Sequence, residues 1–237
     1  LFLGAGVGVE AGFANWRTTL IQLADALEPY HKGFADLMKG EANADRYLES
    51  AELFYLAPLT PTTRHNLLGS VWSREPIITR RLKLLTQTRC QGIVTTNFDR
   101  SLPVAASEAR SHLVIFGEAD ADLAAARVIA KPFLARIHGR AEVPESLTFA
   151  ARHYRGLSER AQYVEFFREL FLQRNLVFFG FSFADPVIAN LIREMSTAVR
   201  SVFRREAYAL VSEPVDAKLI EALREASTVP VPYDPKD

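Results

Sequence analysis

From residue 91 onward, short apolar and β-branched runs alternate with stretches of helical length, a pattern that suits a parallel sheet covered by helices. The runs fall at 92–96, 112–116, 134–138, 176–180 and 206–211, and the helix-length stretches lie near 100–110, 119–127, 158–174, 185–200 and 215–226. A further apolar run, Leu1-Phe2-Leu3, opens the chain. Parallel strands need a crossover of a dozen or more residues between them, and this spacing supplies it. The expectation is an α/β protein with a doubly wound parallel sheet. Residues 17–90 differ: apolar residues recur at helical spacing, from Leu20, Ile21, Leu23 and Leu27 through Tyr47, Leu48, Ala51 and Phe54 to Ile78, Leu82 and Leu85. They are expected to form a small helical lobe within one domain spanning 1–237, broken at Pro58-Leu59-Thr60-Pro61 because proline disfavours helix before itself.

In an open parallel sheet, ligands bind beyond the carboxyl ends of the strands, so the residues following each run carry the chemistry. After Leu3 comes Gly4-Ala5-Gly6-Val7-Gly8. Without a Cβ, such a backbone turns tightly and brings N–H groups near a pyrophosphate at a helix N-terminus. The spacing departs from G-x-G-x-x-G, because Val9 takes the third glycine position, and no Walker lysine follows; the loop reads either as a phosphate cradle or as a plain turn. The run 92–96 ends in Asn97-Phe98-Asp99. An amide both donates and accepts, which suits a carboxamide or a water, yet Asn97 and Asp99 equally suit an Asx turn or a cap for the helix near Arg100. His138-Gly139 ends the third run, offering either an imidazole for proton transfer near neutral pH or a turn. Leu176 to Phe179 form the strongest buried-strand pattern and lead into Gly180-Phe181-Ser182, where Ser182 is also a possible cap ahead of Asp185-Pro186. His31, His65, His112 and His153 have no partner pattern and read as surface or structural residues.

Six segments, Gly4-Ala5-Gly6-Val7, Gly12-Phe13-Ala14-Asn15-Trp16, Thr95-Thr96-Asn97-Phe98-Asp99, Ile137-His138-Gly139, Pro144-Glu145-Ser146-Leu147 and Gly180-Phe181-Ser182-Phe183, stand in the order seen in sirtuins. Over residues 1 to about 211 the chain resembles the divergent sirtuin-like domains of bacterial defence proteins. The resemblance implies a Rossmann-like fold and NAD as substrate. It implies pyrophosphate contacts at Gly4, Ala5, Gly6 and Val7, with Val7 standing where serine is common. A flexible cofactor loop from Gly12 to Arg17 would contribute Asn15 and Trp16, with Ala14 in place of the usual proline. Asn97 and Asp99 would hold the nicotinamide end, His138 would work on the ribose, and Gly180, Phe181 and Ser182 would meet the phosphates and the adenosine half. These residue types suit the chemistry, since breaking the nicotinamide–ribose bond develops positive charge on the sugar and needs an orienting group and a base rather than a metal.

One cysteine, Cys90, rules out both a disulfide within the sequence and a four-cysteine zinc site. Protein-deacylating sirtuins carry a zinc ribbon of two C-x-x-C pairs between the histidine and the late strand. Here that region holds a helix-like stretch, Gln162 to Arg174, with Val164, Phe167, Leu170, Phe171 and Leu172 as its apolar face. No zinc is therefore expected. The first functional expectation is an NAD glycohydrolase that depletes NAD in anti-phage defence, with an NAD-dependent protein deacylase and a non-catalytic NAD or ADP-ribose sensor as alternatives. Lys plus Arg and Asp plus Glu number 28 each, so no basic field favours direct nucleic-acid binding. There is no apolar stretch long enough to span a bilayer and no signal pattern, so a cytoplasmic location is expected. The start inside a strand and the proline-rich exit from Pro230 read as part of a longer protein, with a homo-oligomer or a sensor domain or partner controlling activity.

Overall fold

The computed structural model describes residues 1–181, 206–215 and 217–234. Among the described residues, seven strands, β1 (Phe2–Leu3), β2 (Gly92–Thr95), β3 (Val114–Phe116), β4 (Phe133–Arg136), β5 (Leu176–Phe179), β6 (Ala207–Ser212) and β7 (Thr228–Tyr233), form one sheet in the order β3-β4-β2-β1-β5-β6-β7. Every strand pairing is parallel. The crossovers contain α1 (Ala5–Glu10), α2 (Trp16–Leu27), α3 (Lys32–Asn43), α4 (Tyr47–Leu56), α5 (Pro61–Val71), α6 (Arg80–Gln87), α7 (Ser101–Glu108), α8 (Asp120–Val128), α9 (Ala151–Arg155), α10 (Ala161–Gln173) and α11 (Ala217–Glu225). This is the doubly wound, Rossmann-like α/β architecture expected from the alternation. The expected helix at 185–200, the basic run 200–205 and Ser182 lie outside the described residues.

Side chains alternate across the sheet with period two, and each central strand feeds two cores. Leu3, Ile93 and Leu134 point to one face, where they join Val7, Leu20, Leu23, Leu27, Met38 and Phe54. Phe2, Val94, Ala135 and Phe178 point to the other, against Tyr163, Phe166 and Phe167 of α10 and Leu223 of α11. The helices between residues 16 and 87 thus cover one sheet face and share its core. The apolar face of α10 is rotated from the expected one, with Tyr163, Phe166, Phe167 and Phe171 buried and Val164 and Leu172 only partly so.

Two local expectations are corrected. The segment Gly12 to Arg17 is not all loop, because Trp16 and Arg17 already lie in the first turn of α2. Asn15 is the reason: its side chain accepts from Thr18 N at 2.9 Å, the contact of a strong N-cap residue. The proline-rich exit is also more than a tail, since Thr228–Tyr233 pairs along β6 as an edge strand. The Tyr233 carbonyl accepts from Glu213 N, so residues of its parity turn their backbone groups inward. Pro230 and Pro232 have the opposite parity, and their missing N–H groups fall on the outer edge, where a strand tolerates proline.

Candidate functional site

The polar segments singled out in the sequence leave β4, β2, β1 and β5, four strands adjacent in the sheet, at their carboxyl ends. The chain order reverses between β1 and β5, where an open parallel sheet forms its ligand crevice. At this point the glycine loop is packed directly on the end of β5. Gly4 N donates to Phe179 O at 3.0 Å and Gly6 N to Gly180 O at 2.9 Å. A Cβ on Gly4 would stand 2.5 Å from Gly180 O and 2.6 Å from Phe181 Cα, and Gly180 itself has φ +61°. Close approach of two backbones therefore explains these glycines. It also changes the expected phosphate contacts: Gly6 N and Val7 N are already bonded to Gly180 O and Gly4 O, and the Val7 side chain is buried in the core. Ala5, exposed at the first position of α1, retains an amide with no intrahelical acceptor.

Asn97 is buried beside this loop. Its Nδ2 donates to Gly4 O at 3.0 Å, its backbone N donates to Thr95 Oγ1 at 3.1 Å, and Oδ1 accepts no hydrogen bond from the described residues. The donor contact to a carbonyl fixes which way the amide points, so the acceptor end is the open one. Asp99 uses Oδ1 to accept from Ser101 N at 2.9 Å and from the Ser101 hydroxyl, and so caps the start of α7. Gly8, the third glycine of the loop, also lies against these side chains, because a Cβ there would stand 2.8 Å from Asp99 Oδ2 and 3.4 Å from Asn97 Nδ2.

Burial pushes the Asp99 carboxyl above its ordinary value of 3.8, with the Ser101 donors and the Arg136 charge pulling the other way. A carboxyl whose pKa is higher in the folded than in the unfolded state holds its proton more readily when folded. Its contribution to stability is most favourable below 3.8 and is lost as pH rises through the folded value. Near neutral pH the buried carboxylate is therefore a cost to the fold. Asp99→Asn is expected to raise the melting temperature at pH 7, with the gap to the parent closing towards about pH 4. Calorimetry across that range checks it, and a lower melting temperature at pH 7 would refute it.

His138 follows β4 and is 1% exposed. Its Nε2 lies 2.9 Å from Tyr163 Oη, and its Nδ1 lies 3.4 Å from Tyr154 Oη. Gly139 turns the chain at φ +96°, and a Cβ would sit 2.2 Å from Ser146 O, so no other residue fits without rebuilding the turn at Pro144–Ser146. Arg136, given no role by the sequence reading, joins the ends of β4 and β2: its buried guanidinium holds Glu142 at 3.0 and 2.9 Å, Phe98 O at 2.6 Å and Asp99 O at 3.0 Å. A buried arginine ahead of a histidine was the available sequence signal, since such a charge needs partners nearby.

Trp16 is stacked on Phe149 at 5.2 Å and on Tyr47 at 6.4 Å between ring centroids. Asn15 is exposed and engaged as the cap of α2, and Trp16 is partly buried. Phe181 packs on Phe2 at 5.2 Å and Phe178 at 5.6 Å. Three of the remaining histidines make local contacts: His153 Nδ1 accepts from Phe149 N and Ala150 N, His31 Nε2 meets Pro58 O, and His65 lies 3.4 Å from Glu145. Among the described residues no three His, Cys, Asp or Glu side chains are placed to hold a metal ion, and no helix is long and apolar enough to cross a membrane.

Comparison with known proteins matches residues 91–230 to the family described as SIR2-like domain. The chain is also 23% identical over 209 residues to NAD(+) hydrolase ThsA of Bacillus cereus (strain MSX-D12), covering 87% of this chain and 40% of that protein. The chain thus spans about two fifths of the length of that relative.

Proposed function

Because the chain belongs to the SIR2-like domain family, we propose that it hydrolyses NAD, releasing nicotinamide and ADP-ribose. The observation that carries this reading is Asn97, whose Nδ2 is tied to the Gly4 carbonyl while Oδ1 is left as an acceptor beside the glycine loop. An acceptor held this way can orient a water, or a ribose hydroxyl, at the carbon that becomes positive as the nicotinamide bond breaks. Water adds through its oxygen, its proton passes to His138, and nicotinamide departs as a neutral amide. Gly4, Ala5, Gly6 and Val7 would line the pyrophosphate together with Gly180, Phe181 and Ser182, with Ala5 supplying the amide that the fold does not use. Asn15 and Trp16 would close the cofactor end, and Asp99 would hold the nicotinamide side through the loop it caps.

The name of the ThsA relative supports NAD as the substrate, and the sirtuin-like domains of bacterial defence proteins suggest the wider role, an NAD-depleting effector of the cytoplasm. Such an activity must be restrained until triggered, by homo-oligomer assembly or by a sensor domain or partner. The single cysteine and the α10 helix in the zinc-ribbon region set the reading apart from protein deacylation. Incubating the protein with NAD, with and without an acetyl-lysine peptide, and measuring nicotinamide and ADP-ribose by mass spectrometry tests it. Peptide-independent ADP-ribose is the expected product. O-acetyl-ADP-ribose formed only with peptide would replace the reading with deacylation, and NAD binding without product would replace it with a sensor.

A further inference from the structure

We propose that Arg136 is a positioning residue that fixes the Asn97 loop against the His138 turn, an inference that rests on the roles given above to Asn97 and His138. The two segments leave neighbouring strands. β2 and β4 pair from Gly92 with Phe133 to Thr95 with Arg136, and Ile137 N donates to Thr95 O at 3.0 Å as the ladder ends. Asn97 and His138 each stand two residues past that last pair. Two reacting groups carried on chain ends beyond the ladder need a further brace if their separation is to be held.

Arg136 supplies that brace together with one backbone bond. Ala141 N donates to Phe98 O at 2.8 Å, and Arg136 Nη2 donates to the same oxygen at 2.6 Å and to Asp99 O at 3.0 Å. Both lone pairs of the Phe98 carbonyl are thereby used, and one side chain holds two successive peptide planes after Asn97. Asn97 Nδ2 is tied on its other side to Gly4 O, so the amide is set between the glycine loop and β4. The guanidinium is itself fixed. It is 3% exposed, and Glu142 accepts from Nη1 at 3.0 Å and from Nη2 at 2.9 Å. Nε is buried with no hydrogen bond among the described residues, so the whole grip runs through the two Nη atoms. A planar fork can serve a carboxylate and two carbonyls at once, whereas a lysine ammonium is a single point of charge. Glu142 and Ala141 follow His138 within four residues, so Arg136 ties the histidine turn, as well as β4, to the Asn97 loop.

A double-mutant cycle on the purified protein tests this. Arg136→Lys keeps the buried charge and gives up the fork. It is expected to lower kcat for NAD hydrolysis roughly 10- to 100-fold, the cost of misplacing a reacting group by about 1 Å. In the Asn97→Ala background the same substitution should cost less than about threefold, because no side chain is left to position. A general loosening of the fold would cost the same factor in both backgrounds. That result would overturn the proposal, as would a kcat in Arg136→Lys within about threefold of the parent. Glu142→Gln, at a half-exposed position, provides the same cycle if Arg136→Lys does not fold, because it removes the counter-charge and one arm of the fork. A smaller loss that again disappears in Asn97→Ala is expected, and equal losses in the two backgrounds would overturn the proposal. A third reading needs no turnover. The Asn97 side-chain amide signal in a proton–nitrogen spectrum, assigned by its absence in Asn97→Ala, should move in Arg136→Lys and, by less, in Glu142→Gln; an unmoved signal in both would overturn the proposal. If the parent protein shows no NAD turnover, the functional reading fails alone, because this signal still decides whether Arg136 holds Asn97 in place.

Discussion

Alanine at Asn97 or at His138 is expected to slow nicotinamide release from NAD by roughly 10²- to 10⁴-fold, the usual contribution of a positioned proton-transfer or orienting group. The two variants should differ in how the loss divides. His138→Ala removes the proton acceptor and leaves the crevice between β1 and β5 intact, so kcat should fall while KM for NAD changes little. Asn97→Ala removes the open Oδ1 and also the donor that holds Gly4 O at 3.0 Å, loosening the glycine loop on which the diphosphate would rest. Both kcat and KM should therefore worsen. The unfolding free energy of Asn97→Ala should drop by only about 1 kcal/mol, the net worth of one hydrogen bond, which separates a chemical from a structural defect. Nicotinamide chromatography with a parallel thermal melt makes the measurement. Activity within about threefold of the parent in both variants would remove these residues from the chemistry.

The strands were legible because local signals and the final fold agree at their carboxyl ends. β2 and β5 are runs of apolar and β-branched residues that stop at an amide or a glycine, and each stops within a residue of where the pattern does. Asn97, Asp99 and His138 could be singled out for the same reason, since polar residues that directly follow a buried run must face a strand end. What surrounds them was not legible. Tyr154 and Tyr163 reach His138 from 16 and 25 residues further along, on helices whose facing is set by packing against Phe2, Phe133 and Phe178 rather than by their own period. The stacking of Trp16 on Phe149, more than a hundred residues away, and on Tyr47 was equally hidden. The edge strand β7 was hidden by two prolines that argue against a strand in isolation and are harmless only on its outer side.

The same distinction between local and long-range demands gives the largest expected effect on stability, because glycines that look alike in the sequence should respond to alanine with opposite signs. Gly40 in α3 and Gly69 in α5 have nothing within 4 Å of an added Cβ. Alanine at either should stabilise the protein by roughly 0.5–1 kcal/mol through helix propensity and a less flexible unfolded chain. Gly4 is the reverse case. Its added Cβ would press on Gly180 O at 2.5 Å and Phe181 Cα at 2.6 Å, both backbone atoms, with the Phe181 ring at 2.9 Å. Neither side can yield by rotating a side chain, and Gly4 N and Gly6 N hold the two segments together from below. Gly4→Ala is thus expected to destabilise by about 3 kcal/mol, at the upper end for overpacking. Separating the glycine loop from β5 also opens the crevice in which NAD would lie, so turnover should be lost in molecules that remain folded. Denaturant titration of the three variants reads the signs directly. If Gly4→Ala were as stable as the parent, the loop would not need this approach to Gly180, and its glycines would have to be explained by a ligand instead.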